Sequence, residues 1–314
     1  MRILFAGSPA IAIPCLEVIA KSSIDLVGVL TNPDTPKGRH GTPQPTEVGE
    51  AAEKLGVPII KPHKLDGQTR EDISALKPDL LVSFAYGRIF GPKFLTLFPL
   101  GGINIHPSLL PKYRGPTPIQ AAILSGDKIT GISIQKIALE IDSGNILAVE
   151  QILLDGTETT ASLGQAVAVK AAEMLPAALA KIAKGEQGTP QDHSQASYCP
   201  IIIKDDGVID WNSSAVKIDA KIRAYNPWPL CRTIHNGRTL FILEVGSREW
   251  GVGSREEITG KIGQVLGIDN QCGIMIQTAD GILTVTELQY QGKKALFWKD
   301  FFNGARDFVE SILG

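Results

Sequence analysis

The sequence predicts an α/β chain: a Rossmann-like, mostly parallel sheet with helices on both faces, followed by a small OB-like β-barrel domain. Three observations carry this. Short apolar strand candidates alternate with helical stretches through the first half. After Asp206 the texture changes to short strands separated by glycines. The 314 residues exceed the roughly 100–200 of one ordinary domain.

In order, residues 2–6 form a buried strand and residues 11–20 a helix. A strand at 25–31 precedes a loop at 32–45 rich in Pro, Gly and basic residues. A helix at 47–55 and a short strand at 57–60 follow. Residues 79–84 (DLLVSF) are almost continuously apolar, the mark of a strand covered on both faces. Residues 102–106 form another strand, and a helix starts at Pro118 and reaches Leu124. Residues 131–137 alternate, and an apolar run to Leu154 follows Asp142-Ser143-Gly144, as in antiparallel strands around a turn. The Ala-rich stretch 160–184 is helical, with Pro176 expected to kink or divide it. Residues 185–200 lack periodicity and read as connecting chain. The expected division is 1–188 for the first domain, 189–206 for a linker and 207–314 for the second. In that last part a helix at 214–224 precedes strands at 239–245, 260–267, 273–278 and 282–288.

Composition excludes several classes. At 43% hydrophobic and 20% charged residues the chain can bury a core, which argues against disorder. No apolar run approaches the ~18 residues that span a bilayer, and the apolar opening is too short for a signal-peptide core. The expected address is therefore cytoplasmic, with no membrane partner. Cys15, Cys199, Cys231 and Cys272 are scattered, as in a reducing compartment. The net charge of −2 excludes a globally basic nucleic-acid binder, though not a local basic patch. Residues 207–314 carry as many acidic as basic residues. The five histidines lie in no ligand spacing, so no metal is expected. Gly7 follows the first strand, but G-x-G-x-x-G is absent and a dinucleotide site is rejected. Trp211 and Trp228 read as packed anchors rather than stacking platforms.

The most informative stretch is Gly102-Ile103-Asn104-Ile105-His106-Pro107-Ser108-Leu109-Leu110-Pro111-Lys112-Tyr113-Arg114-Gly115. In a strand Asn104 and His106 point to one face, and Pro107 ends the strand there. That places a polar pair at the carboxyl end of a sheet strand, where open α/β sheets bind ligands. The loop beyond offers backbone groups from Ser108 to Leu110 to a flat ligand. An isolated Asn-x-His is ordinarily a satisfied strand end. A carboxylate at Asp142, in a turn able to return over the strand, favours an acyl-transfer site instead. Both readings stand at this point.

These residues, with Asp142-Ser143-Gly144 downstream, resemble the signature of the 10-formyltetrahydrofolate-dependent formyltransferase superfamily. The resemblance extends from Ile3-Leu4-Phe5-Ala6-Gly7-Ser8-Pro9 through Phe84-Ala85-Tyr86-Gly87 to Ile209-Asp210-Trp211, 222–229 and Gly292-Lys293-Lys294-Ala295, nearly the whole chain. It implies Asn104, His106 and Asp142 as catalytic residues. It implies that Ser108, Leu109, Leu110 and Pro111 contact a folate, with Phe84, Tyr86 and Gly87 lining its pterin pocket. The implied reaction carries a formyl group from 10-formyltetrahydrofolate to the α-amine of methionine on initiator tRNA, for translation initiation, by a monomer. Asp142 is expected to raise the His106 pKa above its reference of about 6.5. In this family the 34–45 loop touches the tRNA acceptor stem, which implicates Lys37 and Arg39. Arg223, Lys293 and Lys294 are the candidates of the second domain, with a solvated face as the alternative. Within the same chemistry the rivals are acceptors such as a sugar-nucleotide amine, glycinamide ribonucleotide or water. A non-catalytic tRNA-binding or folate-sensing scaffold predicts loss of the polar trio, which is present.

Overall fold

The computed structural model describes residues 1–36, 41–246 and 260–314. Lys37 and Arg39 lie outside the described residues. The chain folds as two compact units. The first comprises Met1–Pro118, Lys128–Leu154 and Leu163–Pro200, and the second Ile119–Asp127, Asp155–Ser162 and Ile201–Gly314.

Along the chain the first unit lays down β1 (Arg2–Ala6), α1 (Ile13–Ala20), β2 (Asp25–Leu30), the two-residue strands β3 (Thr35–Pro36) and β4 (Pro43–Gln44), and α2 (Glu47–Lys54). β5 (Ile59–Ile60), α3 (Gly67–Ala75), β6 (Leu80–Phe84), α4 (Pro92–Leu95) and β7 (Gly102–His106) follow. After α5 (Pro118–Leu124), most of which belongs to the second unit, come β8 (Ile129–Lys136), β9 (Ile146–Leu153) and the long α6 (Thr160–Ala183). Seven strands form one sheet in the order β5-β2-β1-β6-β7-β8-β9. Pairing is parallel as far as β7 and antiparallel for β8 and β9. The mostly parallel sheet is thus present, with an antiparallel edge beside the strand that carries Asn104 and His106.

Local chemistry explains the starts. Thr46 caps α2 by accepting from the Gly49 N–H at 3.0 Å, and Asp66 caps α3 by accepting from Thr69 N–H at 3.1 Å. Every residue of β6 is buried, in keeping with its apolar run. Leu4, Leu30, Ile73 and Leu81 pack with an aromatic column of Tyr86, Phe90, Phe94 and Phe98. Pro176 does not divide α6, which continues through it. Among the described residues no helix is long and apolar enough to cross a membrane.

In the second unit α7 (Ala215–Tyr225) precedes β10 (Cys231–His235), β11 (Arg238–Val245), β12 (Val265–Asp269), β13 (Gly273–Gln277), β14 (Ile282–Tyr290), β15 (Leu296–Phe297) and α8 (Trp298–Gly304). The strands form an antiparallel sheet in the order β10-β11-β14-β13-β12, with β15 on β14. Residues 311–314 reach both ends of that order. Val265 N donates to Ser311 O, Leu313 N to Gly263 O, and Gly314 N to Ile234 O of β10. Trp211 is a packed anchor as expected, its indole N–H on Thr233 Oγ1 at 3.1 Å. Trp228 is 56% exposed and does not anchor a core.

Candidate active site

Strand register builds the site. Antiparallel pairing sets Asn104 opposite Gln135 and His106 opposite Ser133, so four polar side chains share one face. Ile103 and Ile105 point the other way into the core. Beyond Pro107 the chain folds back on itself. Ser108 Oγ donates to Lys112 O at 2.5 Å, and Lys112 N donates to Leu109 O at 3.0 Å. Ser133 Oγ donates to Ser108 O at 2.8 Å and accepts from Leu110 N at 3.0 Å. Several backbone groups expected to face a flat ligand are therefore turned inward and brace the loop. Gly131 lets Leu109 seat against β8, because a Cβ there would stand 2.5 Å from Leu109 Cδ2.

Asp142 is the hub. The turn after β8 holds it at φ +48°, an uncommon conformation for a side-chain-bearing residue. Its Oδ1 accepts from Asn104 Nδ2 at 3.3 Å and from Gln135 Nε2 at 2.9 Å. Its Oδ2 accepts from Gly115 N at 2.9 Å and lies 3.5 Å from His106 Nδ1. The other ring nitrogen, His106 Nε2, is 2.8 Å from Tyr113 O. A carbonyl only accepts, so Nε2 carries the proton. Asn104, His106 and Asp142 are thus brought together.

His106 is 4% exposed. Burial pushes its pKa below 6.5, outweighing the Asp142 carboxylate and the Tyr113 carbonyl, which pull it up. The expected net rise is therefore corrected. Asp142 acts in the expected direction, but desolvation of the ring is larger.

The remaining predicted residues divide. Ser108 and Leu110 are buried within the braced loop, and Leu109 is half-buried. Phe84 and Tyr86 have their side chains in the core, at 1% and 2% exposure, rather than on a pocket wall. The exposed parts of that bend are Ala85 and Gly87, at φ +52° and +79°. In the second unit Arg223 is tied down: its guanidinium donates to Asp219 Oδ2 at 3.0 and 3.1 Å and to Glu158 O at 2.6 Å. Its packing role is the better account of it. Lys293 and Lys294 are exposed.

Sequence reasoning missed Gln135, Ser133 and Gln191, and singled out Arg114 only as part of a motif, with no role. Arg114 is 1% exposed; it donates to Gln191 Oε1 through Nη2 at 2.8 Å and to His193 Nδ1 at 3.2 Å. Residues 189–200, expected as connecting chain, lie in the first unit. Ser197 O accepts from Arg114 N at 2.8 Å, and Ser197 Oγ accepts from Tyr113 N at 3.0 Å. Gln135 and Ser133 were accessible from the two-residue alternation on β8 once its partner strand was known.

Residues 1–179 match the formyl transferase family, and residues 201–306 match the formyl transferase C-terminal domain. The chain is 49% identical to the methionyl-tRNA formyltransferase of Treponema denticola, over 99% of this chain and 98% of that protein. It is 41% identical to that of Borrelia duttonii, over 99% of each. Among solved structures it resembles HypX from Aquifex aeolicus in complex with tetrahydrofolic acid, with a TM-score of 0.65 at 18% identity, over 98% of this chain and 48% of that one. It also resembles an N-formyltransferase from Helicobacter canadensis in complex with folinic acid and dTDP-3-aminofucose, with a TM-score of 0.64 at 21% identity, over 90% of this chain and 98% of that one. With both halves of the family matched in order and relatives aligned end to end, the chain belongs to the formyl transferase family, among the methionyl-tRNA formyltransferases.

Proposed function

We propose that the chain transfers the formyl group of 10-formyltetrahydrofolate to the α-amine of methionyl initiator tRNA, for translation initiation. The observation that carries the chemistry is the convergence of an amide and an imidazole on the Asp142 carboxylate, at the carboxyl end of a sheet strand. The acceptor follows from the end-to-end likeness to methionyl-tRNA formyltransferases.

On this reading the amine attacks the formyl carbon, the new C–N bond forms and negative charge develops on the formyl oxygen. Asn104 donates to that oxygen through its amide, a contribution of about 10²–10³ in rate for such a donor. Folate N10 leaves with a proton, and the amine loses one. An α-amine titrates at about 7.7–8.0, so part of it is neutral near physiological pH. His106 rests neutral, with Nε2–H on Tyr113 O and Nδ1 toward Asp142. A proton arriving at Nδ1 meets a carboxylate, while the other N–H already has its acceptor. These two groups offset only part of what burial costs the imidazolium, so a proton taken up by the ring on its way from amine to N10 is readily given up again. Ser108 to Pro111 and the Ala85–Gly87 bend, at the same end of adjacent strands, bound the place for the folate. On this reading the enzyme is a cytoplasmic monomer. Lys37, Arg39, Lys293 and Lys294 are its candidate tRNA contacts.

The deciding experiment supplies purified protein and 10-formyltetrahydrofolate with charged initiator tRNA, charged elongator tRNA, an aminosugar nucleotide, or water alone. Formylation of charged initiator tRNA is expected. Faster transfer to the aminosugar, or release of formate with no acceptor, would sink this reading.

A further inference from the structure

Gln191 is 7% exposed, lies outside the strands and helices, and belongs to a segment that composition alone reads as connecting chain. Every polar atom of its side chain is engaged. Its amide nitrogen shares two hydrogens among three acceptors, Gly144 O at 2.7 Å, Asp142 O at 2.9 Å and Gln135 Oε1 at 3.1 Å. Its carbonyl oxygen accepts from buried Arg114, through Nη2 at 2.8 Å and Nε at 3.3 Å. Gln135 in turn donates to Asp142 Oδ1. One side chain thus grips the Asp142 turn by its main chain and by a relay to its carboxylate.

We propose that Gln191 is a positioning residue for the transfer reaction, locking the Asp142 turn so that the carboxylate faces His106 and Asn104. The proposal rests on the functional reading above. Two observations favour positioning over mere filling. Asp142 sits in the left-handed region, uncommon for a side-chain-bearing residue though better tolerated by Asp than by most, so contacts that fix the turn help to keep it there. And Gln191 holds the carbonyls of both Asp142 and Gly144, one in the peptide that follows Asp142 and one further along the same turn. Arg114, at the far end, is held on its other side by His193, Tyr198 OH at 3.3 Å and Glu140 at 3.6 Å. Through His193 and Tyr198 the clamp is anchored outside the Asp142 turn.

The test is Gln191→Met, which keeps the length of the side chain and removes the amide. The variant is checked by thermal unfolding and assayed for kcat and KM with both substrates. The His106 ring is then titrated by NMR without substrate. The titratable and charged groups facing this network are Asp142, Arg114, Glu140, His193 and the Cys199 thiol, which lies 3.6 Å from Tyr113 O. We expect kcat to fall about 10- to 100-fold, because a misplacement of 1 Å costs that order, with KM little changed. The imidazole titration should move down by about half a pH unit or more as the carboxylate drifts from the ring. Wild-type kcat with an unmoved titration overturns the proposal. So does a raised KM at unchanged kcat, the mark of a substrate contact. If Gln191→Met does not fold, Gln135→Met breaks the relay instead, and wild-type kcat there overturns the proposal. Failure of the wild-type enzyme to formylate initiator tRNA would refute the functional reading alone, since the substrate-free titration still reports on Gln191.

Discussion

Asp142 Oδ2 faces His106 Nδ1 across 3.5 Å, yet the ring is buried deeply enough that its pKa falls below 6.5 rather than rising. The ring is neutral at pH 7, because Asp142 and Tyr113 O offset only part of what burial costs the charged form. Direct titration of His106 by NMR should give a midpoint under 6.5; a midpoint above it contradicts this balance. Asp142→Asn removes the group that pulls the pKa up and should lower the midpoint further. The same shift affects stability. The unfolded chain takes up a proton near pH 6.5 and the folded ring does not, so His106 costs stability as pH falls below 6.5. His106→Ala should flatten that part of a stability-against-pH curve.

Loss of the ring should nearly abolish transfer. His106→Ala is expected to leave the fold intact and to cost more than tenfold in kcat, since positioned proton transfer contributes about 10²–10⁴. Recovery of more than about a tenth of the wild-type rate removes His106 from its assigned role.

Asn104→Leu should cost about 10²–10³ in kcat, the ordinary effect of removing one oxyanion donor. Single-turnover kinetics separate this from weakened binding. A purely KM effect would make Asn104 a binding residue only.

Gly144→Ala should destabilise the first unit by about 2–3 kcal/mol or more. A Cβ there would stand 1.8 Å from Lys136 O, and backbone cannot rotate out of the way as a side chain can. Urea unfolding reads the effect. An unchanged midpoint would mean the Asp142 turn is not held where described.

The second unit separates two kinds of cation. Arg223→Ala should lower stability, because its guanidinium holds Asp219 and Glu158 O, with little change in the salt dependence of tRNA binding. Lys293→Ala with Lys294→Ala should weaken tRNA binding and reduce the salt slope, by about one for each phosphate no longer neutralised. Arg39→Ala should act in the same way. Affinity measured across a salt series decides each case, and an unchanged slope takes the residue out of the interface.

Legibility followed punctuation. β7 ended where it was read because Pro107 stops it, and α5 began at its proline. α3 was missed because its polar sequence hides the helix, although Asp66 caps it. The β10–β11 hairpin was missed despite Asn236-Gly237, both at positive φ, the pair that tight hairpins favour. At the site, Asn104 and His106 were legible as a pair from their two-residue spacing on one strand, and their grouping with Asp142 from its turn and the family resemblance. Arg114 and Gln191 were not, since a long polar side chain reads as surface until its partners are known. The inward turn of Tyr86 could not be read either, because Tyr86 lies beyond β6 and joins a column of aromatic rings that only the fold assembles.

The hydrogen bonds of residues 311–314 have a bearing on biosynthesis. Ser311 and Leu313 bond to the chain at β12, and Gly314 to β10, so these residues tie together stretches made much earlier. The seam cannot close until they have cleared the ribosome, and until then the outer strands of the sheet keep unpaired edges that invite aggregation. Deleting these four residues should therefore harm solubility out of proportion to the size of the deletion.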